Sequence, residues 1–484
     1  MARYPTGALK VAHQHAIEFL HGLDARPVGS TKTFDELRGA LAESLPARGT
    51  AAEIVIDSLV EATKGGHLGS ASGRFFAWVI GGALPSALAA DWLTSTWDNN
   101  AALAACGPAA AVIEERAGTW VKELLGLPGD ASFAFTTGCQ MAHFTCLAAA
   151  RHALLKRAGH DVEAQGLWDA PPIRVLSTEH RHGSVTRALR FLGLGSASLI
   201  ALETDARHRL RADTVERALE ENAAPTIVIL DAADLNVGAM DDFEGIIPIA
   251  QAAGAWVHID GAFGLWARSS ARYAHLAKGI ELADSWATDA HKWLNTPKDN
   301  GIAIVRNAEA HRAAMTIGAD YIPPSPTVRD QIDWTPDWTR RARGIPVYAA
   351  IQELGSDGVA EMIDRCCAMA TRLADGLAEM AGIELVSCPT LNQGLVRFLD
   401  PRDGASEEQH DAFTDAMIDA INGEGTAFFS GTLWQGRRAM RISVVNWQTS
   451  ANDIDHTLAA ISRINASRRG DSTPISEAGH TWII

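Results

Sequence analysis

The stretch "SWATDAHKWLNTP", residues 285–297, sets Lys292 directly after His291 at the end of a β-rich run. Thirty-two residues earlier, Asp260 closes another such run in "WVHIDGAFG". A third segment, "FTTGCQMAHFTC", turns at Gly138 from a strand pattern into a helical one, so Cys139 and Gln140 fall in the first turn of a helix. Each type suits a definite task. A lysine amine condenses with an aldehyde, a reaction no other side chain offers. An ionised carboxylate keeps a pyridine nitrogen protonated. The first amides of a helix lack intrahelical acceptors and lie at the positive end of its dipole, so they hold a phosphate. An amine, a carboxylate and a phosphate cradle at the edge of one sheet point to pyridoxal 5'-phosphate.

These residues need a sheet whose strand ends converge, because open α/β sheets gather their functional groups at the carboxyl ends of strands. From about residue 130 the chain alternates β-rich runs with helical stretches: "SFAFTTG", "IRVLSTEH", "SLIALETD", "TIVILDAAD", "AWVHID", "DSWATD" and "GIAIVRN" read as strands. That alternation implies an α/β domain with a parallel sheet covered by helices. Beyond about residue 345 a long amphipathic helix precedes the strands "GLVRFLD" and "RRAMRISVVNW", a smaller α+β unit. The expected organisation is a helical segment over 1–100, packed on the body or on a second subunit, an α/β domain over 101–345 and a C-terminal domain over 346–484. Residues 319–339, rich in proline, read as a long irregular loop of the kind that serves as a lid.

Composition limits the partners. The 484 residues carry a net charge of -16 and are 47% hydrophobic; no basic stripe exists to displace counterions from a nucleic acid. No run approaches the roughly 20 apolar residues of a membrane span, and the first residues lack a signal-peptide pattern, so a cytoplasmic enzyme is expected. The six cysteines show no zinc-like or disulfide spacing, and no metal is expected.

With these segments in view the chain resembles the group II pyridoxal-phosphate-dependent decarboxylases, the family of aromatic amino acid, glutamate and histidine decarboxylases. The likeness runs from "RFFAWVIGG" to "RISVVNWQTSANDID" and is most specific in "DAHKW". It implies a fold-type I architecture and a homodimer with its active site at the subunit interface. It also implies decarboxylation of an L-amino acid to an amine through Lys292. By the same resemblance Asp260 meets the ring nitrogen and Ala262 lies under the ring. His182, in "STEHRHGSV", stacks over the cofactor, while Gly138, Cys139, Gln140 and His291 surround the phosphate. Asn236, in "DLNVGAMDD", falls in a loop near the cofactor.

Two departures qualify the likeness. Family members usually continue the phosphate turn with Gly-Thr/Ser-Glu-Ala, whereas this chain reads Cys139, Gln140, Met141, Ala142. The family's loop tyrosine has no counterpart between residues 322 and 347, where Gln331, Asp333, Trp334 and Asp337 stand instead. Transamination, aldehyde formation and retro-aldol cleavage on the same scaffold are the alternatives, with a non-catalytic paralogue less favoured because Lys292 and Asp260 are intact. Arg441 is the residue to examine for a carboxylate clamp, which a transaminase requires.

Overall fold

The computed structural model describes residues 4–317 and 328–470. Its larger sheet contains β1 (Ser132–Thr136), β2 (Arg174–Ser177), β3 (Leu199–Ala201), β4 (Thr226–Asp231), β5 (Trp256–Asp260), β6 (Ser285–Asp289) and β7 (Gly301–Val305). Their spatial order is β1-β7-β6-β5-β4-β2-β3. Strands β3, β2, β4, β5 and β6 are mutually parallel, since each connection is long enough to cross over the sheet. The link between β6 and β7, residues 290–300, forms no helix. β7 therefore returns antiparallel to β6 and also pairs antiparallel with β1. This is the mostly parallel sheet with helices on both faces that the sequence implied, with β7 reversed.

Side chains alternate across a strand, so parity decides what each face receives. Val257 and Ile259 of β5 enter a core shared with the helices Pro108–Leu124 and Phe243–Ala252. Trp256 of β5 and Ala287 of β6 enter the opposite core, built with the helices Cys139–Arg157 and Gly183–Phe191. By the same parity His258 and Asp260 of β5, and Ser285 and Asp289 of β6, belong to this second face. Polar residues thus form one line along a core that is otherwise apolar.

The smaller sheet is antiparallel, with β8 (Ile383–Ser387), β9 (Gln393–Phe398), β10 (Ser430–Trp434) and β11 (Arg437–Ser443) in the order β10-β11-β9-β8. β9 and β11 are the strands read in the sequence; β8 and β10 complete the sheet. The helix Gly344–Ala378 links the two sheets and breaks at Gly355, whose φ of 63° is a left-handed conformation that glycine adopts at little cost. In the N-terminal segment, Phe75 stacks on Phe428 with centroids 5.3 Å apart and Phe76 meets Phe429 at 5.1 Å. The aromatic stretch near residue 75 therefore packs against the smaller domain. Trp97 lies exposed.

Of the proline-rich loop, residues 318–327 lie outside the described residues. The part from 328 onward is tied to the body: the Asp330 carboxylate accepts from the Ala104 amide at 2.7 Å, and the Ile332 amide donates to the Ala102 carbonyl. Asp333 is held by Arg312 and Thr316, and Asp337 by Arg343.

A fully buried ion pair, Arg340 with Glu114 at 2.7 Å, anchors the entry to the long helix. Arg340 also donates to the Ala101 and Phe135 carbonyls, and Glu114 accepts from the Gly344 amide. Removing one partner strands a charge in the core, at a cost of about 3–5 kcal/mol. Glu114→Ala is therefore expected to lower stability by roughly that amount, measured by chemical denaturation against the parent.

Candidate active site

Asp260 and Lys292 reach one place because β5 and β6 are adjacent and parallel, with Asp260 in register with Ala287. One oxygen of Asp260 accepts from the Ala262 amide at 3.2 Å and the other lies 3.4 Å from His143 Nε2. Burial opposes ionisation of this carboxyl. The field and hydrogen bond of His143, helped by His182 and Lys292, outweigh that cost and hold its pKa well below the usual carboxylate range. Asp260 is an ionised, buried carboxylate.

Lys292 follows β6 in the turn, with Nζ 3.3 Å from Asp289 Oδ2. Burial works against its ammonium form, but Asp289 and Asp260 more than compensate, so its pKa lies above the ordinary lysine value. The other oxygen of Asp289 accepts from the Cys139 amide at 2.6 Å. A carboxylate therefore already sits at the N-terminus of the helix Cys139–Arg157, where the sequence called for anion binding. Glycine at 301 permits this closeness, since a Cβ there would lie 2.3 Å from the Gly138 carbonyl carbon. The Cys139 thiol is buried, and burial together with Asp289 and Asp260 raises its pKa well above normal. It stays protonated, and only its backbone is suited to an anion.

His182 caps the helix Gly183–Phe191: its Nδ1 accepts from the Ser184 amide at 3.3 Å and lies 2.7 Å from the Ser184 hydroxyl. Partial burial lowers its pKa, Lys292 and His143 adding to the effect against the pull of Asp260 and Asp289. His291 Nδ1 lies 2.9 Å from the Asn300 carbonyl and 3.6 Å from Asp289, and its pKa is also lowered, chiefly by burial. Gly138, Cys139, His182, Asp260, Ala262, His291 and Lys292 thus cluster around the ends of β5 and β6. Gln140 lies at the rim, where its side chain accepts from Arg187 at 3.3 Å.

Asn236 is directed elsewhere. Its amide nitrogen on the backbone donates to Asp234, and its side-chain oxygen accepts from Thr432 of β10 at 2.9 Å. Arg441 of β11 reaches the same loop, donating to the Leu235 carbonyl at 2.5 Å; burial draws its pKa down to about 10, against the pull of Asp234. This guanidinium ties the small domain to the loop after β4.

The sequence reading missed Asp289, which unites the lysine with the helix end, and His143, which supports Asp260. Asp289 stands three residues before Lys292 and was within view. His143 lies in the apolar helix "CQMAHFTCLAAARHALLKR", which reads as core.

The donor set fits pyridoxal phosphate in its lysine amine and its ionised carboxylate held from two sides, beside a helix N-terminus whose first amide is engaged by Asp289. Comparison with known proteins agrees. Residues 36–399 match the model of the pyridoxal-dependent decarboxylase conserved domain. The chain belongs to this family. It is 26% identical to an aromatic-L-amino-acid decarboxylase of Bacillus atrophaeus, over 90% of each chain. It is 23% identical to a 4-hydroxyphenylacetaldehyde synthase of Rhodiola rosea, over 86% of this chain and 85% of that one. Its fold superposes on Oryza sativa TDC, crystallised with PLP and tryptamine, with a TM-score of 0.88 at 22% identity, covering 96% of this chain and 99% of the other. The protein is a pyridoxal 5'-phosphate-dependent decarboxylase of amino acids.

Next to the site, Asp231 and Asp241 form a coupled pair of acids. Burial raises Asp241 to about 7, and burial with the charge of Asp241 raises Asp231 well above the ordinary carboxylate value. An acid whose pKa rises on folding contributes stability that is complete below the ordinary value of about 4 and is lost as pH climbs through the folded value. Asp231→Asn removes one member of the pair. It should leave the melting temperature near the parent's at pH 5 and raise it by about 2 °C at pH 8, read by calorimetry at both pH values.

Proposed function

We propose that this chain removes the carboxyl group of an L-amino acid and returns an amine, as a homodimer in the cytoplasm, with Lys292 as the residue that carries the cofactor. The observation that carries this reading is the convergence of Lys292 and Asp260 at the ends of β6 and β5, beside a helix N-terminus that already holds the Asp289 carboxylate. When bound, pyridoxal 5'-phosphate supplies the aldehyde for the amine and a ring that accepts the electrons of the broken bond.

The residues have distinct tasks. Lys292 gives up its proton to become a nucleophile, and Asp289, 3.3 Å from Nζ, is the nearby base. Asp260, held as an anion, would face the ring nitrogen and keep it protonated. Ala262 would be small enough to lie under the ring, and the neutral His182 would cover the other side. The backbone of Gly138, Cys139 and Gln140, with His291, surrounds the phosphate, and Arg187 adds a positive charge at that rim through Gln140. Asn236 acts by shaping the loop after β4. Arg441, committed to the Leu235 carbonyl, favours decarboxylation over transamination, which needs a free clamp for the substrate carboxylate. Lys292, whose ammonium form is favoured, is the group suited to return a proton to the product, and His182 as a neutral imidazole can relay one.

The homodimer draws support from the N-terminal helices. Gly7–His21 and Ala52–Thr63 have no fully buried residue, and Leu9, Ile54, Val55, Leu59, Trp92 and Trp97 are exposed. Apolar side chains gathered in this way mark a surface that another chain covers. For the cytoplasm, the support is that none of the described helices is long and apolar enough to cross a membrane.

Lys292→Ala is expected to abolish carbon dioxide release and the borohydride-reducible imine, detected by mass spectrometry of the reduced protein; a retained imine would refute the assignment. Light scattering should give twice 51.6 kDa, and a monomer would overturn the dimer. The absent tyrosine leads to a third outcome. Between residues 322 and 347 the loop offers Gln331, Asp333, Trp334 and Asp337 and no phenol, so proton return to the product is slow enough for oxidation to compete. Aerobic turnover should then yield aldehyde as well as amine, quantified together by chromatography. A strict one-to-one yield of amine and carbon dioxide would show that another acid serves.

A further inference from the structure

Behind Asp260 a line of polar side chains runs through the core, on the sheet face that carries Trp256 and Ala287. His143 Nε2 lies 3.4 Å from the Asp260 carboxylate. His143 Nδ1 lies 2.9 Å from His258 Nε2, and His258 Nδ1 lies 2.9 Å from Ser285 Oγ. Ser285 Oγ in turn accepts from the Trp256 indole at 2.9 Å. His143, His258 and Ser285 are each completely buried.

The chemistry of the two ends decides where each proton sits. An ionised carboxylate only accepts and an indole N–H only donates. His143 therefore carries a proton on Nε2, and with that ring uncharged it accepts at Nδ1. His258 then carries its proton on Nε2 and accepts at Nδ1 from the Ser285 hydroxyl, whose oxygen receives the indole N–H. Every donor then meets an acceptor along the line, and burial, with His143 beside it, keeps His258 uncharged. The Cys139 sulfur, 3.4 Å from His143 Nε2, faces the same junction but stays a thiol. A chain of bonds pointing one way polarises its members cooperatively, so the N–H offered to Asp260 is stronger than that of an isolated imidazole.

We propose that His143 is a positioning residue, the last link of a Trp256–Ser285–His258–His143 hydrogen-bond wire that orients Asp260 and sets the protonation of the cofactor's ring nitrogen. His143 touches neither substrate nor cofactor in this assignment; it acts through Asp260. The inference rests on Asp260 facing the ring nitrogen, so its test must separate the two claims.

The first measurement uses the wild-type protein without cofactor. Nitrogen-15 NMR of labelled histidine should place the protons of both His143 and His258 on Nε2, and a proton on Nδ1 of either would overturn the wire. The second uses cofactor labelled with nitrogen-15 in the ring and bound to each variant. In His143→Leu the ring nitrogen signal should move to the unprotonated position and kcat should fall about tenfold with KM little changed. His143→Gln, which retains a donor near the Nε2 position, should restore both. If His143→Leu keeps a protonated ring nitrogen while Asp260→Asn loses it, this inference fails and the role of Asp260 stands. If Asp260→Asn also keeps it, the placement of Asp260 itself is wrong. Should His143→Leu not fold, the wild-type tautomers and His143→Gln still decide the question.

Discussion

An ionised carboxylate that is 7% exposed at the end of a central strand is the constraint around which the rest of this structure is arranged. Asp260 could escape the cost of burial by taking up a proton, and then it could no longer hold positive charge on a pyridine ring. It stays ionised because donors reach it from two directions, the Ala262 amide in the turn after β5 and His143 from the covering helix. The turn depends on β5 ending at residue 260, and the imidazole depends on how the helix Cys139–Arg157 packs across β5 and β6. Core packing and acid-base state are thus one problem here.

That same helix carries the second half of the site. Its N-terminus meets Asp289 and its next turn meets Asp260, so one rigid element fixes the distance between the anion cradle and the ring carboxylate. The close approach of Gly138 and Gly301 makes this possible. Asn295 closes the arrangement from the other side. Its side-chain oxygen accepts from the amides of Gly82 and Trp447, and its amide donates to the Val445 carbonyl. The turn that bears Lys292 is therefore fastened both to the N-terminal segment and to the smaller domain. A lysine on a free loop would sample many positions; this one is held from three parts of the chain.

Much of this was legible in the amino-acid sequence, for identifiable reasons. Lys292, Asp260 and the Gly138 turn stand at strand ends, where local pattern and chemistry coincide, and the alternation of strands with helices sufficed for the larger sheet. β8 and β10 were missed because Ile383–Ser387 is a short edge strand and Ser430–Trp434 opens on serine, glycine and threonine, which read as loop. The reversal of β7 followed from the length of one connection, a quantity visible in the sequence but weighed only once the strands were placed. His143, His258 and Ser285 come from a helix and two strands, and each alone reads as an ordinary core residue. Their relation exists only after the helix has packed on the sheet.

The loop that distinguishes this chain from its relatives shows how far local reading reaches. Its prolines suggested a lid, yet from residue 328 onward several of its residues are tied to the body. Asp330 and Ile332 bond to residues 102–104, and Arg329 lies between the rings of Phe133 and Trp334, 4.3 Å from each. Gln331 is buried with neither side-chain amide atom paired among the described residues, a state that costs free energy unless something else meets it. A buried amide without a partner is an unusual feature in this loop. An amide can donate and accept hydrogen bonds, but it cannot deliver a proton at neutral pH. Whatever Gln331 contributes is therefore orientation, and among the described residues of the site Lys292 and His182 are the groups that can hand on a proton.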